Sequence, residues 1–141
     1  MNPETPAPLK PVRYRVLSLD GGGAKGVYSL GFLSRLEKDV GKPLHEFFDL
    51  FYGTSTGSII ATLLSLGQTV DKIYKLYLNE IPQILSSWTA RGRSKKLAEV
   101  IVRIIGTKKF SDLRKPTGIV ATNWESRQLR EQFALSMLTI W

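Results

Sequence analysis

Arg13-Tyr14-Arg15-Val16-Leu17-Ser18-Leu19 runs directly into Asp20-Gly21-Gly22-Gly23-Ala24-Lys25-Gly26. The first seven residues are rich in strand formers with partial two-residue alternation, so they predict a strand ending at Asp20. The glycines form a turn whose backbone N–H groups have no side chains in the way. From Gly26 onward Val27, Leu30, Leu33 and Leu36 recur at helical spacing, with Gly41 and Pro43 as stop signals, which predicts a helix. Phe47 to Tyr52 then reads as a short buried strand. A strand, helix and strand in this order form a right-handed βαβ unit with neighbouring parallel strands. Both strands then end at the same edge of the sheet, where ligands usually bind.

The second predicted strand leads into Gly53-Thr54-Ser55-Thr56-Gly57, and Ser58 to Leu66 reads as the helix that follows. A tight bend between strand and helix lifts Ser55 to the tip of the turn, with Gly53 and Gly57 two positions away on each side, where the backbone is crowded. A serine hydroxyl is a weak nucleophile, and the positive N-terminal end of the following helix favours the charge that develops when it attacks a carbonyl. The oxygen of that carbonyl needs fixed donors, and the Gly21, Gly22 and Gly23 segment, together with Thr56, can offer N–H groups to it. These residues predict acyl transfer. Ser55 is the candidate nucleophile; Gly53, Thr54, Thr56 and Gly57 shape its elbow; Gly21, Gly22 and Gly23 form the candidate oxyanion hole; Asp20, Ala24, Lys25 and Gly26 complete the glycine-rich loop.

Either turn alone is weak evidence. Gly21 to Gly26 also satisfies the G-x-G-x-x-G pattern of a dinucleotide site, and G-x-S-x-G arises often by chance. A dinucleotide site expects an acidic residue about 20 positions on, at the end of the next strand. Here that strand ends in Gly53-Thr54-Ser55. A P-loop is excluded because neither turn ends in Gly-Lys-Ser/Thr.

Taken in this order and at this separation, the two turns resemble the patatin-like phospholipases, which pair a D-G-G-G-x-R/K-G loop with a G-x-S-x-G elbow. The resemblance runs from about Arg13 to about Trp124 and takes in Thr117 to Asn123 as a later strand of the same sheet. It implies a three-layer α/β/α sandwich with a mostly parallel sheet. It also implies hydrolysis of phospholipid or other lipid acyl esters by a Ser-Asp dyad, with no metal or organic cofactor. Lys25 stands where the family more often has Arg, keeping the charge without the planar fork. The family's dyad Asp lies in a D-G-G or D-G-A turn downstream of the serine. Here the aspartates after Ser55 are Asp71 and Asp112, and neither precedes a glycine. Both read as residues near helix starts or turns. His45 precedes Ser55 and does not supply an α/β-hydrolase triad in the usual chain order; it reads as a loop residue. The expectation is therefore the front part of a hydrolase domain, inactive alone. The alternative is a module that binds lipid or a membrane surface without turnover.

Composition bounds the rest. At 141 residues and 43% apolar content the chain makes at most one domain. Residues 1–12 contain Pro3, Pro6, Pro8 and Pro11 and read as a flexible arm; residues 13–124 form the hydrolase part; residues 125–141 form an atypical tail. In that tail Leu129, Phe133, Met137 and Ile140 fall at helical spacing. With three strands in view and helices needed on both sheet faces, some apolar surface should be left exposed. The lack of cysteine excludes disulfides and suits a reducing cytoplasm. No apolar run approaches the roughly 20 residues of a membrane span. The net charge of +8 is concentrated between Trp88 and Lys115, where nine cationic residues face Glu99 and Asp112, nine minus two or +7. Leu97, Val100, Ile101 and Ile104 predict an amphipathic helix there, either docking its cationic face on an anionic membrane or simply packing its apolar stripe. The aromatic residues Tyr74, Tyr77 and Trp88 read as core or acyl-pocket wall, and no nucleic-acid partner is expected, since no base-stacking pattern accompanies them.

Overall fold

In the computed structural model, which describes residues 13–87, 89–123 and 128–134, the chain opens on strand β1 (Val16–Leu19). A 3-10 turn (Gly23–Lys25) leads into helix α1 (Gly26–Val40), the one-turn helix α2 (Leu44–Phe47) and strand β2 (Leu50–Thr54). Helices α3 (Thr56–Ser65), α4 (Val70–Leu85) and α5 (Ala90–Ile105) follow, then a second 3-10 turn (Phe110–Asp112), β3 (Thr117–Asn123) and β4 (Gln128–Ala134). The sheet order is β1-β2-β3-β4. The first three strands are parallel and β4 is antiparallel to β3. The α/β class and the mostly parallel sheet are as predicted.

Register places the two turns side by side. Leu19 pairs with Gly53, so β1 and β2 finish level at one edge of the sheet. Leu19, Phe51 and Thr117 turn their side chains to the helix-covered face and are buried, whereas Val16 and Ser18 on the other face are exposed. One core cluster joins Leu19 and Phe51 to Leu30 and Leu33 of α1, Ile60 and Leu64 of α3, and Ile73 and Tyr77 of α4. A helical layer on the second sheet face is not among the described residues.

Local chemistry explains the helix ends. Gly41 closes α1 in the left-handed conformation (φ 70°), its N–H bonded to the Glu37 and Lys38 carbonyls. Thr69 precedes α4 without a side-chain cap. Glu37 supplies one from a distance: its carboxylate accepts the N–H groups of Val70 at 2.9 Å and Leu44 at 3.3 Å, tying the end of α1 to the starts of α2 and α4. The Thr89 hydroxyl caps α5 by accepting the Gly92 N–H at 3.0 Å.

Three expectations need correcting. The strand predicted over Phe47 to Tyr52 begins at Leu50, because Pro43 opens a helical turn that takes up the first part of the apolar run. Part of the tail predicted as helical is strand β4, paired from Gln128↔Asn123 to Ala134↔Thr117; the ladder along the open edge of β3 outweighs the helical spacing of Leu129 and Phe133. His45 is not a loop residue but lies buried in α2. The arm 1–12, Trp88, Trp124, and residues 125–127 and 135–141 of the tail segment lie outside the described residues.

Candidate active site

Ser55 occupies the junction between β2 and α3 with φ 50° and ψ −126°, and among the described residues it alone has a positive φ without being glycine. An L-residue in such a conformation costs on the order of 1–3 kcal/mol and persists only where the surroundings enforce it. The side chain at this tip is exposed. Behind it, the Ser58 N–H and hydroxyl both donate to the Ser55 carbonyl, at 3.0 and 2.5 Å, starting α3.

The glycines are explained by what a side chain would strike. A Cβ on Gly53 would lie 2.5 to 2.6 Å from backbone atoms of Gly57 and Ser58. One on Gly57 would overlap the Leu19 carbonyl and come 2.7 Å from that of Asp20. One on Gly21 would sit 2.8 Å from the Ser55 Cβ. The serine elbow and the glycine loop are therefore pressed together, backbone to backbone, at the ends of neighbouring strands.

The structure brings Gly22, Gly23 and Thr56 into direct contact. The N–H groups of Gly22 and Gly23 both donate to the Thr56 Oγ1, at 3.2 and 3.1 Å. Gly23 adopts φ 54°, and Lys25 N–H closes the 3-10 turn on the Gly22 carbonyl at 3.0 Å. Thr56 is buried and Thr54 half-buried, while Asp20, Ala24 and Lys25 are exposed around the loop. From α4, the buried Tyr77 donates its hydroxyl hydrogen to the Gly23 carbonyl. Gly26 leaves room for that phenol, since a Cβ there would overlap its oxygen. Burial raises the Tyr77 pKa, against the opposing effects of hydrogen bonding with Thr56 and the Gly26 backbone, so the group stays a phenol and a donor. The reading of Tyr77 as core or pocket wall missed this hydroxyl contact. Nothing in the sequence marks it, because it joins residues 54 positions apart.

Other candidates serve elsewhere. Asp71 pairs with Lys75 at 2.8 Å on α4, and the Asp112 carboxylate accepts the Lys109 N–H at 2.8 Å. His45 Nε2 lies 3.1 Å from the Arg114 guanidinium, while its Nδ1 is buried with no partner. Burial and the Arg114 charge lower its pKa. Among the described residues no group of three or more His, Cys, Asp or Glu is arranged to hold a metal. On α5, Leu97, Val100, Ile101 and Ile104 turn toward α3 and α4, lining an apolar cavity of about 30 Å³ with Tyr77 on its wall. Arg103 is held by Glu80, and the Lys96 Nζ donates to Ser86 Oγ at 2.8 Å. Among the described residues no helix is long and apolar enough to cross a membrane.

A family model described as patatin-like phospholipase matches residues 17–136. The chain belongs to this family. Among patatin-like relatives, the cUMP-AMP-activated phospholipase of Escherichia coli is 48% identical over 110 residues, covering 78% of this chain and 34% of that protein. The cGAMP-activated phospholipase of Escherichia coli (strain TW11681) is 29% identical over 130 residues, 79% of this chain and 36% of the relative. The human calcium-independent phospholipase A2-gamma is 42% identical over 71 residues, 50% of this chain and 9% of the relative. This patatin-like chain thus spans about a third of the length of the two bacterial relatives. The match extends past Asn123 and takes in β4.

Proposed function

We propose that Ser55 is the nucleophile of a phospholipid or lipid-ester acyl hydrolase. The observation that carries this reading is the strained, exposed Ser55 at a strand-to-helix turn, with Gly21 packed against its Cβ. Ser55 Oγ attacks the ester carbonyl and passes its proton to a general base as the carbonyl oxygen becomes an oxyanion. The N–H groups at Gly22 and Gly23, in the loop begun by Gly21, stabilise that oxyanion, and the N-terminus of α3 adds its dipole. The ester C–O bond then breaks, the protonated alcohol or lysolipid leaves, and water releases the fatty acid from Ser55 by the reverse relay.

The base in this reading is the family's dyad aspartate, outside these 141 residues. Asp71 and Asp112 are each engaged in local contacts, which supports that assignment. Lipid breakdown in the cytoplasm, at the surface of an anionic membrane, completes the reading; Arg91 and Lys95 on α5 and Lys108 and Lys109 just beyond it are exposed and suited to that contact. The 48% identity to a cUMP-AMP-activated phospholipase extends the proposal to activation of the intact protein by that nucleotide.

The test is fluorophosphonate labelling of the intact protein beside Ser55→Ala, read by mass, with phospholipid hydrolysis measured with and without cUMP-AMP. Labelling and hydrolysis that both vanish in Ser55→Ala are expected. A folded protein that binds lipid vesicles but neither labels nor hydrolyses, with or without the nucleotide, would instead be a non-catalytic binding module.

A further inference from the structure

The glycine loop has few means of holding its own shape. Gly22 and Gly23 have no side chains to pack, and Gly23 sits at φ 54° where most residues are strained. Such a segment is expensive to order, and an oxyanion hole works only if its donors are already in place before charge develops. Something else must hold it.

Two hydroxyls do so from opposite sides. Thr56, next to the nucleophile, gathers the Gly22 and Gly23 N–H groups onto its Oγ1. Tyr77, from α4, takes the carbonyl at the other end of Gly23. Its oxygen also lies against Gly26, where a Cβ would overlap it. Tyr77 thus donates to the Gly23 carbonyl while the Gly22 and Gly23 N–H groups donate to Thr56. Tyr77 is 8% exposed and its ring packs in the core cluster and on the wall of the α3/α4/α5 cavity, so the hydroxyl has a rigid mount.

We propose that Tyr77 is a positioning residue for acyl transfer at Ser55: its hydroxyl, bonded to the Gly23 carbonyl, holds the glycine loop against the serine elbow, where Thr56 Oγ1 engages the Gly22 and Gly23 N–H groups until the oxyanion takes them over. Tyr77 touches neither substrate nor nucleophile. Its effect passes through the loop, which makes the packing of α4 against α1 a determinant of catalytic rate. This inference rests on the nucleophile reading of Ser55.

The test uses the intact protein and the variants Tyr77→Phe, which removes only the hydroxyl, and Thr56→Val, which removes the other link at similar volume. Three quantities are measured: kcat and KM for a phospholipid ester, affinity for a trifluoromethyl ketone lipid whose tetrahedral adduct on the serine carries an oxyanion, and affinity for a non-hydrolysable ether lipid. Tyr77→Phe is expected to lower kcat at least about tenfold with KM little changed, and to weaken the ketone by a similar factor while leaving the ether lipid unaffected. Tyr28→Phe, at an exposed tyrosine of α1, is the matched control and should match the wild type. An unchanged kcat in Tyr77→Phe overturns the proposal, as does equal loss of ketone and ether binding, which marks a merely structural role. Should Tyr77→Phe fail to fold, Thr56→Val decides on the same criteria. Ser55→Ala separates the two levels: retained hydrolysis there removes the nucleophile reading, whereas abolished hydrolysis with a fully active Tyr77→Phe removes only the role given to Tyr77.

Discussion

Replacing Ser55 with glycine should stabilise the protein while destroying its proposed nucleophile. The backbone at φ 50°, ψ −126° is one that glycine enters freely and a residue with a Cβ does not. Alanine keeps that Cβ and hence the strain, so the informative comparison is Ser55→Gly against Ser55→Ala, both lacking the hydroxyl. Relief of strain is worth about 1–3 kcal/mol. Against it stands the extra freedom glycine gives the unfolded chain, about 0.5–1 kcal/mol. Because Ser55 is exposed, little buried contact is lost in return. The net expectation is a gain of about 0.5–2 kcal/mol for glycine over alanine. Urea unfolding of the two variants of the intact protein, followed through the transition that includes this domain, measures the difference. Equal stability, or a less stable glycine variant, would refute the view that this turn stores strain.

Gly57→Ala should cost more than about 3 kcal/mol, since its Cβ would overlap the Leu19 carbonyl and neither backbone can retreat without unpairing β1 from β2; loss of soluble folded protein or of fluorophosphonate labelling checks it. Glu37→Ala should destabilise by about 1–3 kcal/mol by leaving the Val70 and Leu44 N–H groups without their acceptor, and Glu37→Gln, which keeps one oxygen, by less, both read by chemical denaturation. His45 has a folded-state pKa below its ordinary 6.5, so it stays neutral in the fold at pH values where the unfolded chain binds a proton. Its contribution is whole above about pH 6.5 and lost as pH falls through the folded-state value; thermal unfolding from about pH 7 to about pH 5 should show a decline that is shallower in His45→Asn.

Much of the arrangement was legible in the sequence because it is local. Strand formers before Asp20, helical spacing from Val27 to Leu36, and Gly41 as a helix stop all act within a few residues, and β1, α1 and the end of α1 follow them. The stripe of Leu97, Val100, Ile101 and Ile104 likewise found its partner helices. What failed depended on distant partners or on an ambiguous period. Phe47 and Phe48 belong to an apolar run too short to distinguish a helical turn from a strand, and Leu129 with Phe133 sits in a segment whose conformation is set by the open edge of β3. His45 is buried in α2, with Arg114, 69 positions on, at its Nε2. The roles of the Thr56 and Tyr77 hydroxyls were out of reach for the same reason.

The pattern Gly21-x-Gly23-x-x-Gly26 also shows why a glycine motif cannot be read without its neighbours. In a dinucleotide site the glycines make room for a tight turn, an approaching pyrophosphate and a helix packed on a strand. Here the close neighbours of Gly21 and Gly26 are parts of the same chain: Ser55 at Gly21 and Tyr77 at Gly26. Gly23 supplies the positive φ, and its N–H, with that of Gly22, is turned toward Thr56. Gly57 of the serine turn fits under the Leu19 and Asp20 carbonyls in return. Each motif supplies the space that the other's backbone occupies. Two patterns that are weak separately therefore form one steric unit, and a substitution at any of Gly21, Gly53 or Gly57 should disturb both turns together.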